Sequence, residues 1–190
     1  MPWLLIAGVA LFAVLHLYRG ALPASRDALR EKVGAGAFKG VLSLLLLGSL
    51  VLIVLGWRSA IPTPVYANPE WGRHLAMLLM VFAIILFAAS HGRNNLQRRI
   101  RHPQLTAVLV WATAHLLANG DIRSLVLFGG LGAWALLEIV LINRREGAWQ
   151  KPEPVATGRI AIPIVAGLVV YGVLFWSHRW FAGMPLISMG

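Results

Sequence analysis

His115 lies within an apolar run, with Trp111 four residues before it and Asn119 four residues after it. On a helix that spacing puts all three side chains on one face. An imidazole in an apolar helix is costly unless it hydrogen-bonds or serves as a ligand or acid–base group, so His115 is the first candidate site residue. The plainer alternative is a packed ring bonded to a neighbouring backbone carbonyl. The chain holds six histidines, five methionines and no cysteine. Disulfides, thiolate ligands and a thiol nucleophile are therefore excluded, and imidazole is the principal ligand type left. His16 stands three residues before Arg19 at the end of an apolar run, His102 opens a second run, and His74 opens a third. His102 and His115 are thirteen residues apart, ~20 Å along a helix. Two layers follow, His16 with His102 on one side and His74 with His115 on the other. His91 and His178 fall at run ends and read as solvated. Glu138, the one carboxylate well inside a run, lies six residues before Arg144. It either snorkels toward that side or faces the bundle as a buried acid. Asp121 is placed to cap the helix that follows it.

These residues are carried by six apolar stretches: Trp3–Tyr18, Val41–Leu55, Leu75–Ser90, Leu105–Ala118, Leu125–Ile142 and Ile160–Trp176. Each is close to the ~20 residues a helix needs to cross ~30 Å of hydrocarbon, the shorter ones requiring their flanks to continue the helix. The loops after the first, third and fifth stretches carry thirteen of the seventeen Lys and Arg residues. Cytoplasmic loops are enriched in Lys and Arg, so these loops are expected inside and both termini in the periplasm. The expected fold is an all-α polytopic membrane bundle of six transmembrane helices, one domain over residues 1–190. Pro62 and Pro64 separate spans two and three, Pro103 suits a first helical turn, Asn119-Gly120-Asp121 reads as a tight turn, and Lys151-Pro152-Glu153-Pro154 as a stiff linker. The polar stretch from Arg19 to Lys39 reads as a connector. Small residues recur in spans five and six (Gly129, Gly130, Gly132, Gly167, Gly172), as close helix packing requires.

At 190 residues, 58% hydrophobic and a mean hydropathy of +0.73, the chain has no room for a separate soluble domain. Its net charge of +10 sits beside the apolar stretches. Anionic inner-leaflet lipid is therefore the expected partner and nucleic acid is not. No Lys or Arg precedes the first apolar run, so no cleaved leader is expected. No carboxylate pair, Ser/His/Asp arrangement or phosphate-cradling glycine loop occurs.

Several motifs together carry a resemblance. His16-Leu17, Phe38-Lys39-Gly40-Val41-Leu42-Ser43, Trp71-Gly72-Arg73-His74-Leu75-Ala76, Arg101-His102-Pro103 and the run from Trp111 to Asp121 resemble the NnrU family over nearly the whole chain. The resemblance implies a multi-pass bacterial inner-membrane protein linked to nitrite and nitric oxide reduction. The family is in turn similar to 15-cis-zeta-carotene isomerase, a membrane enzyme that holds b-type haem through histidines. That similarity implies haem b, with His115 and His16 as iron ligands, and admits a hydrophobic or small-molecule substrate. The isomerase cysteine of the Trp-Cys-x-Ala-His element falls on Ala112, which removes cysteine ligation. Two axial imidazoles must bring their nitrogens ~4 Å apart across one iron, whereas His16 and His115 differ by about 15 Å in depth at ~1.5 Å per residue. Same-layer pairing favours His74 with His115, so His115, His16 and His74 rank in that order, with His102 fourth. Arg101-His102-Pro103 also resembles the motif with which isoprenylcysteine carboxyl methyltransferases hold S-adenosylmethionine, although Leu105 replaces the usual aromatic and no paired glutamates follow. A non-enzymatic scaffold for a respiratory complex is the third expectation.

Overall fold

The structure, a computed structural model, describes residues 3–183, the side chains of Arg19 and Phe181 aside. It is all-helical among these residues: α1 (Trp3–Ala21), α2 (Pro23–Val33), α3 (Ala35–Ser59), α4 (Gly72–Ala89), α5 (Pro103–Ala118), α6 (Ile122–Glu146) and α7 (Ala161–Ala182). Each of the six apolar stretches lies within or largely overlaps one helix, and the flanks do extend most of them. Four helices, α3, α4, α6 and α7, are long and apolar enough to cross a membrane, and α1 with α2 makes a fifth if that bent pair is one span. The sixteen residues of α5 fall short; they reach ~24 Å at 1.5 Å per residue. Apolar side chains such as Leu44, Leu47 and Val51 on α3, and Val165, Val169 and Val173 on α7, stand exposed on the outer surface. Contiguous apolar cover of that kind suits hydrocarbon.

The connector from Arg19 to Lys39 is not irregular. Pro23 in the first helical turn, good helix formers through Lys32, and Gly34 at φ +86° delimit α2, which is bent 91° from α1. Packing pairs the helices in the series α3, α1, α6, α5, α4, α7. The buried cluster of Leu5, Val9 and Ile53 fixes the α1–α3 end of this row, with Phe12, Trp57 and Leu131 against it.

The loop before α4 clamps the end of α5. Helix C-termini leave carbonyls without intrahelical partners. Here Tyr66 Oη donates to the carbonyls of Leu116 and Asn119, and Asn68 Nδ2 to that of Leu117 at 3.1 Å. The Val65 amide donates to Gly120 O at 2.7 Å and the Ile122 amide to Thr63 O at 2.9 Å. As expected, Asp121 caps the next helix, accepting from the Ser124 amide at 3.1 Å and its hydroxyl at 2.8 Å. Partial burial, and then the Asp121 carboxylate, push the Tyr66 hydroxyl up, which keeps it a donor. A folded-state pKa raised in this way means that its contribution holds below the ordinary tyrosine range and is lost as pH rises through the raised value. Tyr66→Phe is expected to lower thermal stability in detergent by ~0.5–1.5 kcal/mol, the net worth of a typical hydrogen bond, because Asn68 still donates to Leu116 O. An unchanged melting temperature would show that solvent replaces the hydroxyl.

Candidate functional site

Three cavities hold His115, His16 and His102. The largest apolar one, 460 Å³, lies between α4, α5 and α7. Trp111, Ala114, His115 and Asn119 supply one wall, Ala76, Met77, Met80 and Ile84 a second, and Tyr171, Leu174, Phe175 and His178 a third, with Arg73 also lining it. All three sets follow i, i+3, i+4 spacing, so each wall is a single helix face. The expected shared face of Trp111, His115 and Asn119 is thus present.

His115 is half-buried, and its Nδ1 bonds the Trp111 carbonyl at 2.9 Å. A carbonyl can only accept, so Nδ1 carries the proton and the neutral ring presents a lone pair at Nε2. A backbone carbonyl fixing one ring nitrogen is the usual support of a metal-ligating histidine. The Phe128 ring stacks on His115, with centroids 4.3 Å apart and planes at 22°. Phe128 belongs to a π-helical turn, Leu125–Gly129, inside α6. Such one-turn bulges redirect side chains and frequently mark functional positions. Phe128 also meets Trp111 at 4.8 Å and Trp57 at 5.8 Å.

His178 was expected to be solvated. It is instead half-buried and lines the His115 cavity. The sequence did carry the signal: Tyr171, Leu174, Phe175 and His178 recur at i, i+3, i+4 and i+7, so the histidine continues an aromatic and apolar face.

A second cavity, 420 Å³, joins α1, the start of α2 and α6; it is lined by His16, Gly20, Pro23, Arg26, Glu138, Ile142 and Arg145. His16 Nδ1 donates to the Phe12 carbonyl at 2.8 Å. Trp134 packs edge-on to it at 5.0 Å. Glu138 is half-buried and lines this cavity beside Arg145. At Gly20, on α1, a Cβ would lie 3.6 Å from Glu138 Oε1 and 4.0 Å from Arg145 Nη1, ordinary contact distances.

The third cavity, 560 Å³, surrounds Arg101-His102-Pro103. Pro103 does open α5, with His102 as its N-cap residue. Arg101 donates to Gly147 O at 2.8 Å and meets Glu146 at 3.5 Å, while His102 Nε2 donates to Asn143 Oδ1 at 2.9 Å. These bonds fasten the start of α5 to the end of α6. Glu138 does not line this cavity, although Ile142 borders both.

His16 and His115 therefore line separate cavities with no residue in common. His74 is exposed and lines none of the three. Among the described residues no group of three or more His, Asp or Glu side chains is placed to hold a metal ion. A haem iron needs only one or two protein ligands. The His115 cavity fits that requirement, with an open imidazole nitrogen on one wall and His178, Met77 and Met80 on the others.

No match was found among curated proteins or among solved structures. The family model for NnrU protein matches residues 4–186, almost the whole chain, and with its apolar helices the chain belongs to the NnrU family of membrane proteins.

Proposed function

We propose that this membrane protein binds haem b in the cavity between α4, α5 and α7, where His115 would hold the iron. The observation that carries this is the His115 ring, its Nδ1 fixed by Trp111 O and its Nε2 left for a ligand in a largely apolar cavity. Neutral imidazole suits iron, and His/His and His/Met pairs are both established axial sets. A second ligand, if the iron took one, would come from His178, Met77 or Met80 of the same cavity, since His16 lines the other one. Bound there, haem supplies a one-electron redox centre and an iron able to take a small ligand. The protein's own part is to orient His115 through Trp111 and Phe128, to exclude water with the α4 and α7 faces, and to offer Arg73 to an anionic substituent. Membership of the NnrU family supports a role linked to nitrogen-oxide reduction. A second reading, isomerisation of an apolar isoprenoid, is favoured by the apolar and aromatic faces of α4 and α7. A Soret band in detergent-purified protein tests haem binding; folded protein without one excludes it.

The same proposal places the protein in the bacterial inner membrane, crossed six times, with α5 the short span and both termini periplasmic. The bias of Lys and Arg toward alternate loops supports this. Alkaline phosphatase fused to the C-terminus is expected to be active in the periplasm, and a fusion after Lys151 inactive. The reverse pattern would invert the orientation.

A further inference from the structure

α1 and α3 pack antiparallel, Gly8 against Ile53 and Leu5 against Gly56, and α2 joins them with more chain than a turn needs. It runs eleven residues, ~16 Å at ~1.5 Å per residue, where bundle helices are commonly joined by about two to eight residues. The nineteen residues of α1 already reach ~28 Å. The chain has therefore nearly crossed ~30 Å of hydrocarbon when it turns by 91° into α2. At the turn the Leu22 amide donates to Tyr18 O at 3.1 Å, and the Tyr18 and Ser25 hydroxyls share a hydrogen bond of 3.1 Å. We propose that α2 lies in the membrane plane as an anchor, its Leu22, Leu29 and Val33 stripe in the headgroup region and its Arg30 and Lys32 on the phosphates of anionic phospholipids.

The distribution of side chains around α2 selects this surface. Leu22, Leu29 and Val33 recur at i, i+7 and i+11, within ~40° of one another on a helical wheel, and all three stand exposed. Arg26 and Arg30 border one side of that stripe and Lys32 the other, while Asp27 and Glu31 fall on the far face. Arg26 is held by Asp27 at 2.6 and 2.9 Å. Arg30 and Lys32 make no ion pair among the described residues, so both keep their donors for a lipid phosphate. An apolar stripe flanked by cations, with the acids turned away, is complementary to a negatively charged leaflet and would repel a positive one.

Two other placements fit less well. Five of the eleven residues of α2 are charged, too many for the second half of a broken span at hydrocarbon depth. No residue of α2 is buried, so neither α1 nor α3 takes up its apolar stripe. The anchor rests on α1 being a span, as in the six-crossing topology, and holds whichever side its end reaches.

The chain has no cysteine, so a single introduced cysteine reports alone in the full-length protein. Leu29→Cys and Glu31→Cys proteins, in nanodiscs of phosphatidylglycerol or of phosphatidylcholine, are labelled with a water-soluble maleimide. Nanodiscs leave both faces open, so an inverted topology does not affect the result. Relative to Glu31→Cys, Leu29→Cys is expected to label roughly twentyfold more slowly in phosphatidylglycerol than in phosphatidylcholine, from two basic side chains at about fivefold each. Val33→Cys, which leaves Leu29 in place, should show the same protection. Adding Arg30→Gln and Lys32→Gln should remove the difference between the lipids; should that variant fail to fold, the lipid comparison still decides. Protection of Glu31→Cys as well would make α2 part of a span, and protection of neither would make it a solvated connector. Protection equal in the two lipids would assign the stripe to a protein contact or to hydrocarbon alone. Each of these three results would overturn the anchor.

Discussion

His115→Ala is expected to abolish the Soret band of the purified protein, or to leave a five-coordinate spectrum where a second ligand keeps the iron. The expectation rests on Nδ1 being committed to Trp111 O at 2.9 Å, which leaves Nε2 as the ligand atom. Alanine at this position removes that ligand and opens space beside Phe128, and nothing else on the α5 wall can replace an imidazole. Single replacements on the facing walls then find the opposing ligand. His178→Ala, Met77→Leu and Met80→Leu all line the same cavity, and one of them should change the spin state while the others leave it alone. His16→Ala and His74→Ala are expected to leave the spectrum unchanged, since His16 lines a different cavity and His74 is exposed. A Soret band that survives His115→Ala without change would remove His115 from the iron. It would then be a packing residue, its ring held by Trp111 O and covered by Phe128.

Within-helix relations were legible in the sequence, and relations between helices were not. The face of Trp111, His115 and Asn119 follows from a four-residue spacing, and so does the cap that Asp121 makes on Ser124, because both are local. His178 was missed although its face was equally local; its position at the end of an apolar run drew attention from the stripe running back to Tyr171. Depth alone grouped His16 with His102 and His74 with His115. Depth measures height along the membrane normal and not which helices are neighbours. The pairing of α1 with α6 sets His16 against Glu138 and Arg145, and the pairing of α4 and α7 brings Met77 and His178 to His115. The π turn that aims Phe128 at His115 leaves no composition signal in Leu125–Gly129. Neither does the clamp of Tyr66 and Asn68 on the α5 carbonyls, since its partners are about fifty residues apart.

The other large effect is expected from the two glycines where α1 crosses α3. A Cβ on Gly8 would lie 2.7 Å from the Ile53 backbone nitrogen, and one on Gly56 would overlap the Leu5 backbone. Backbone atoms cannot swing aside as a side chain can, so even a methyl group forces the helices apart, and such overpacking costs ~1–3 kcal/mol. The displacement does not stay local. On its other side α1 meets α6 at Gly130, where a Cβ would lie 2.6 Å from Val9 Cγ1, so α1 is held between two close approaches and cannot retreat from one without pressing on the other. Gly48, also on α3, has nothing within 4 Å of its Cβ position. Gly48→Ala is therefore the matched control and is expected to stay within ~1 kcal/mol of wild type. Thermal unfolding in detergent should show Gly56→Ala and Gly8→Ala melting well below both. Equal melting of Gly56→Ala and Gly48→Ala would mean that α1 and α3 do not approach as closely as these contacts require.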